Sequence, residues 1–140
     1  MAILRLSAAA VNAEMDALTA LFDVGGTGYI EFRVGAPPAS VATAASGTLI
    51  ATSLLSATAF PAAVNGVGTA NNVAQSSLVV AGGPYTIGYA RIYSGAGVAI
   101  MDCDAGVGAS FTVNINSTAV VNTGDAISTN SFVLTQAGIA

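Results

Sequence analysis

The chain has 140 residues, of which 54 % are hydrophobic and only 7 % charged, against about 25 % charged in an average soluble protein. Its three basic residues are Arg5, Arg33 and Arg91, it has no lysine or histidine, and its net charge is −4, a balance that argues against neutralising nucleic-acid phosphates or anionic membrane surfaces. Without histidine the commonest general base and metal ligand are missing, and the single cysteine, Cys103, rules out an internal disulfide framework or a Cys-rich zinc site.

Along the chain, Ser7 suits a helix N-cap, and residues 8–22 carry an apolar stripe at Val11, Met15, Leu18 and Phe22. Asn12, Asp16, Thr19 and Asp23 form the opposite stripe, and Gly25 and Gly26 end the segment. This predicts a helix lying on a sheet, with the apolar stripe buried and Asn12, Asp16 and Asp23 more exposed. The period then changes to two: residues 29–34 place Tyr29, Glu31 and Arg33 on one face and Ile30, Phe32 and Val34 on the other. Gly35-Ala-Pro-Pro38 breaks that strand, residues 36–47 read as a loop and residues 48–55 as a strand. Pro61 and Asn65-Gly-Val-Gly68 interrupt the next stretch, and residues 73–80 read as another strand, ended by Gly82-Gly-Pro84. Residues 85–93 and 98–102 form a predicted hairpin across Ser94-Gly-Ala-Gly97. Strands at 110–114 and 131–136 flank a turn at Asn122-Thr-Gly-Asp125. Short strands joined by Gly, Asn and Ser turns predict a mainly β fold, an antiparallel β-sandwich or jelly-roll-like barrel with one N-terminal α-helix. It forms a single domain over 1–140, with the helix at about 8–22 and the sandwich at about 28–137.

The mean hydropathy of +0.73 is high, yet the most apolar stretch, 49–64, holds Thr52, Ser53, Ser56 and Thr58 and is broken by Pro61, whereas a spanning helix needs about 20 predominantly apolar residues. The first ten residues make a poor signal peptide, having no long apolar core. No charged residue occurs between Arg33 and Arg91. A folded chain of this mass has roughly 6,600 Å² of surface, which so few charges cannot dominate. Because interface cores are depleted in charge, the composition predicts burial in an assembly. The candidate contacts are the loop carrying Pro37 and Pro38 and the segment carrying Phe60, Pro61 and Val64.

Serine and threonine hydroxyls are abundant, but a nucleophilic hydroxyl needs a base, and the usual ones are absent. Cys103 reads as a half-buried structural thiol. Asp102 and Asp104 would share a face of a strand, a placement that could serve Ca²⁺ binding or an acid/base couple. Followed by Ala105-Gly106, they read instead as solvated aspartates at a hairpin end. The glycine pairs at 26/28, 66/68, 95/97 and 106/108 read as turns, and none completes a dinucleotide fingerprint. Asn116-Ser-Thr118 matches a glycosylation sequon. The sequence thus predicts no catalytic, cofactor or metal site.

As a set, these segments resemble a group of small structural proteins of tailed bacteriophages. Residues 11–25 resemble the start of that group, in which a similar helix precedes a short strand and a Pro-Ala loop, here Pro37-Pro-Ala-Ser40. Gly47-Thr-Leu-Ile-Ala-Thr52 resembles their G-T-L-L-A-T strand, and residues 59–71 are similar to their P-A-F…G-V-A-T-A-N segment with Phe and Pro transposed. Ala90-Arg-Ile-Tyr93 through Met101-Asp102 is similar to their central hairpin, and Asn116-Ser-Thr118 and Ser131-Phe-Val-Leu-Thr135 to their closing strands. The likeness is collinear over most of the chain and departs at Gly82-Gly-Pro-Tyr85, where the group is more acidic. The resemblance implies a non-enzymatic virion component on the capsid surface, a decoration or cement protein that binds the major capsid protein and itself, by analogy as a trimer. The alternative is a tail or fibre domain contacting a host receptor such as a carbohydrate; a sugar platform would draw on Tyr29, Tyr85, Tyr89 or Tyr93.

Overall fold

The helix forms where the apolar stripe placed it. In the computed structural model, which describes residues 3–116 and 118–136, α1 spans Ala8–Ala20 and tightens into a 3-10 turn at Leu21–Asp23. The Ser7 hydroxyl accepts from the Ala10 N–H, satisfying one of the donors that a helix start leaves free. Val11, Met15 and Phe22 are buried, while Leu18 is half-buried at the edge of the core.

Among the described residues ten strands come after it: β1 (Tyr29–Arg33), β2 (Leu49–Leu54), β3 (Val67–Thr69), β4 (Tyr85–Thr86), β5 (Tyr89–Tyr93), β6 (Ala99–Cys103), β7 (Ala105–Gly106), β8 (Val113–Ile115), β9 (Val120–Val121) and β10 (Thr129–Thr135). They build one four-stranded sheet in the order β2-β1-β5-β6, a second in the order β3-β10-β8-β7, and a two-stranded β4-β9 ribbon. The protein is therefore mainly β with one N-terminal helix, as the sequence predicts. All pairings between these strands are antiparallel except β7 with β8, which is parallel. The alternation of β1 holds, with Ile30 and Phe32 buried and Tyr29, Glu31 and Arg33 on the other face. Ile30, Phe32, Ile50, Ala90 and Ile92 of the first sheet share one core with Val113, Ile115, Phe132 and Leu134 of the second. The helix closes that core over β3, where Gly68 leaves room for Met15: a Cβ there would meet the Met15 Cγ at 3.2 Å.

Three expectations are corrected. Residues 73–80 do not form a regular strand, because their donors alternate between two neighbours. Ala74, Ser77 and Val80 N–H groups donate to the carbonyls of Leu54, Thr52 and Ile50, whereas those of Ser76 and Val79 donate to Ile127 and Asp125. Two adjacent hydroxyls take the place of missing carbonyl acceptors: Ser77 Oγ accepts from the Thr52 N–H and Ser76 Oγ from the Ile127 N–H. The segment thus laces the β2 edge to the chain preceding β10. The predicted strand 85–93 divides into β4 and β5 at Ile87-Gly88, because its two ends join different sheets. Asn65-Gly66 does more than interrupt: with φ of 50° and 71° these residues form the tight turn of a small hairpin, Val64 bridging Val67. Of the sequon Asn116-Ser-Thr118, Ser117 lies outside the described residues, as do positions 1–2 and 137–140 of the predicted domain.

Asn12, Asp16 and Asp23 are more exposed than Val11, Met15 and Phe22, as the sequence predicts, but this polar face is engaged by the chain. Thr19 is buried, and Asn12, Asp16 and Asp23 are half-buried against the segment 59–66. Asn12 Oδ1 accepts from the Gly66 N–H at 2.7 Å, Asp16 Oδ1 from Ala63 at 2.7 Å and Asp23 Oδ1 from Ala59 at 3.0 Å. A strandless segment needs partners for its amide groups, and a helix face with acceptors at i, i+4 and i+11 supplies them. Replacing Asp16 by alanine is expected to destabilise the fold by about 1.5–3 kcal/mol, the usual worth of a hydrogen bond to a charged group. Amide exchange should accelerate at Ala63 first; unchanged protection there would show that the helix does not hold this segment.

Candidate assembly surface and outer-face groove

The residues predicted as assembly contacts divide between surface and interior. Phe60 is only 6 % exposed; its ring lies 5.5 Å from Phe22 and 5.1 Å from Phe132, centroid to centroid, so it belongs to the core of its own chain. This corrects its assignment as a contact: the surrounding backbone hydrogen bonds turn the ring inward. Pro61 and Val64 remain exposed, as does Pro37, while Pro38 is half-buried. Pro37 and Pro38 lie in the loop held against the sheet by Arg33, Tyr89 and Arg91, whereas Pro61 and Val64 lie in the segment held by the helix. A further apolar set that the sequence reading missed runs along the β2 edge, where Leu54, Leu78 and Val80 are all exposed. The backbone lacing of residues 74–80 onto β2 brings the two segments carrying them side by side. A signal was present in the apolar Leu78-Val-Val80, which lies among polar residues.

Polar chemistry concentrates on the opposite face of β1, β5 and β6. Arg91 is 2 % exposed. Its Nε and Nη2 donate to the two oxygens of Asp102 at 2.6 and 2.8 Å, and its Nη1 to the Thr43 carbonyl at 2.7 Å. The hydrogen-bonded carboxylate of Asp102 raises the already high Arg91 pKa further, against the effect of burial. Arg33 Nε and Nη2 donate to Glu31 Oε2 at 3.0 and 2.8 Å, and its Nη1 to the Gly47 carbonyl. The Tyr89 hydroxyl donates to the Ser46 carbonyl at 2.7 Å. Together these contacts fold the loop 36–47 back over the sheet, so its far half is engaged within the chain. Beside it, Tyr29 and Tyr93 stack at 4.8 Å. Burial raises the pKa of both phenols, with the negative charge of Glu31 adding to it. A groove of about 450 Å³ opens between the loop and the sheet, with Arg33, Arg91, Tyr93, Thr43, Gly97 and Ala99 among its walls.

Asp102 and Asp104 are thus not a pair of solvated aspartates at a hairpin end. The chain runs on from β6 into β7, with Asp102 locked on Arg91 within β6; Asp104 is exposed and accepts from the Thr112 N–H at 2.9 Å. Cys103 is half-buried, as expected; burial, with Asp104 and Asp102 nearby, pushes its thiol up to about 12, so it is not a thiolate nucleophile at neutral pH. Tyr85 stands apart from the groove, its hydroxyl donating to the Ala81 carbonyl.

Comparison with protein-family models, curated proteins and solved structures finds no match. Among the described residues no group of three or more His, Cys, Asp or Glu side chains is placed to hold a metal ion. No helix among them is long and apolar enough to cross a membrane.

Proposed function

We propose that this chain is a non-enzymatic structural protein of a phage particle, a capsid decoration or cement protein that binds the outer shell and bridges neighbouring subunits. The observation that carries this reading is where the charges go. Arg33 and Glu31 neutralise each other, as do Arg91 and Asp102. Asp16, Asp23, Asp104 and Asp125 accept from backbone N–H groups, and Glu14 accepts from the Gln136 side chain. Most of a 7050 Å² surface is left to small polar and apolar groups, including exposed Leu54, Val64, Leu78 and Val80. Such a surface associates with little charge to desolvate, and weak contacts repeated across a lattice gain through avidity. The partners on this reading are the major capsid protein and further copies of this chain, assembled as a trimer, on the capsid surface of the virion.

The test is release from particles at low and at high ionic strength. Screening shortens to about 3 Å in 1 M salt, so an uncharged interface should release its protein no faster there. A reconstruction should place the density on the outside of the shell. Steep salt-induced release, or density confined to the tail, would overturn the proposal.

A further inference from the structure

The groove under the loop 36–47 has a chemistry that selects its occupant. A guanidinium carries five N–H donors. Arg33, whose side chain is half-buried, donates three of the hydrogen bonds described above, so it keeps two N–H groups that no described residue accepts, while the buried Arg91 lies beneath as part of the groove wall. The Arg33 head is held by the Glu31 carboxylate and the Gly47 carbonyl, so its remaining donors point in fixed directions.

The charge of the site excludes the obvious ligands. Each guanidinium is matched by its own carboxylate, Asp102 or Glu31, which leaves no net positive potential to attract a phosphate or sulfate. The same pairing occupies the carboxylates that a cation would need. A purely apolar ligand would cover the half-buried Arg33–Glu31 pair and the two free Arg33 donors without replacing water's hydrogen bonds. What remains is a neutral molecule rich in hydroxyl groups, with an apolar face to set against an aromatic ring. The walls meet these requirements: Tyr93 supplies the ring, braced by Tyr29 stacked on it, and Thr43, Gly97 and Ala99 keep the walls small. The volume of about 450 Å³ falls within the ~300–1,000 Å³ range of small-molecule pockets.

We infer that the groove between the loop 36–47 and the outer face of β1, β5 and β6 binds a neutral hexopyranose unit of a glycan. Its hydroxyls accept from Arg33, and its C–H face lies on Tyr93. This site stands independently of the capsid reading, since it is a property of the isolated chain.

The experiment is a titration of the purified, isotope-labelled protein, monitored through the arginine Nε–H and backbone amide resonances. The probes are glucose, galactose, mannose and N-acetylglucosamine, each also as a short oligosaccharide, with inorganic phosphate as the charged comparator. At millimolar concentrations at least one neutral sugar should shift the Arg33 and Arg91 Nε–H signals together with the Thr43 and Gly97 amides, and phosphate should not. Tyr93→Ala is expected to weaken that binding at least tenfold. Ala99→Phe, which fills the groove from the β6 side, should abolish it, with an unchanged amide spectrum elsewhere certifying the fold. The inference is overturned if none of the sugars moves these four signals, if phosphate moves them more than any sugar does, or if the shifts survive Ala99→Phe. None of these outcomes bears on release from particles.

Discussion

Replacing Phe22 by alanine is expected to destabilise the fold by about 3–5 kcal/mol, the range for removing a fully buried phenylalanine, as read from the midpoint of urea unfolding. Phe22 has no exposed surface and lies at the end of the helix, against Phe60 at 5.5 Å and Phe132 at 6.1 Å. Three distant parts of the chain meet there: the 3-10 turn after α1, the segment 59–66 and β10. The loss should therefore reach beyond a cavity, because the ring also seats the helix whose Asn12, Asp16 and Asp23 hold that segment. Phe60→Leu, which keeps most of the volume, should cost less than about 1.5 kcal/mol. A Phe22→Ala protein as stable as its parent would show that the helix is not part of the cooperative core.

Breaking the Arg91–Asp102 pair should have a comparable effect by a different route. Asp102→Asn leaves the Arg91 charge buried without a counter-ion, which typically destabilises by about 3–5 kcal/mol. The double variant Arg91→Met, Asp102→Leu removes both charges and is expected to recover most of that loss, since well-packed apolar replacements of buried pairs are often neutral or better. It would still lack the bond from Arg91 to the Thr43 carbonyl, so loop 36–47 should exchange its amide protons faster even where global stability is restored. With Arg91→Met and Asp102→Leu as its single variants, the comparison is a double-mutant cycle in urea. If the two single losses simply add in the double variant, the pair is not an energetic unit.

Much of this architecture was legible in the residues. The 3.6-residue spacing of Val11, Met15 and Phe22, the Ser7 cap, the alternation of 29–34 and the turn at Ser94-Gly-Ala-Gly97 are local signals. A helix or hairpin obeys them because its hydrogen bonds close within a few residues. The absence of the common bases and metal ligands, and the scarcity of charge, are properties of composition that no fold can alter.

Other features depend on contacts between distant segments, and only the tertiary structure decides them. Asp102 meets Arg91 because the β5–β6 register shifts between Ile92 and Tyr93: Tyr93 opposes Ala99, but Ile92 opposes Met101. Unbroken counting from the turn would set Arg91 opposite Met101, and an irregularity of one residue changes which side chains face each other. Phe60 looked like a surface anchor because it lies in a charge-free, Pro-containing stretch. It is core because the helix acceptors, 36 to 54 residues away in sequence, hold that stretch against Phe22 and Phe132. Residues 73–80 have the composition of a strand, yet their neighbours on either side are β2 and the chain at 125–127, and two serine hydroxyls stand in for part of a ladder. The groove obeys the same rule. Arg33, Arg91 and Tyr93 are separate positions in the sequence, and the loop 36–47 makes them one site only by folding back onto the sheet. Local periodicity determined the elements of this protein; long-range hydrogen bonding decided which faces of those elements are left for a partner.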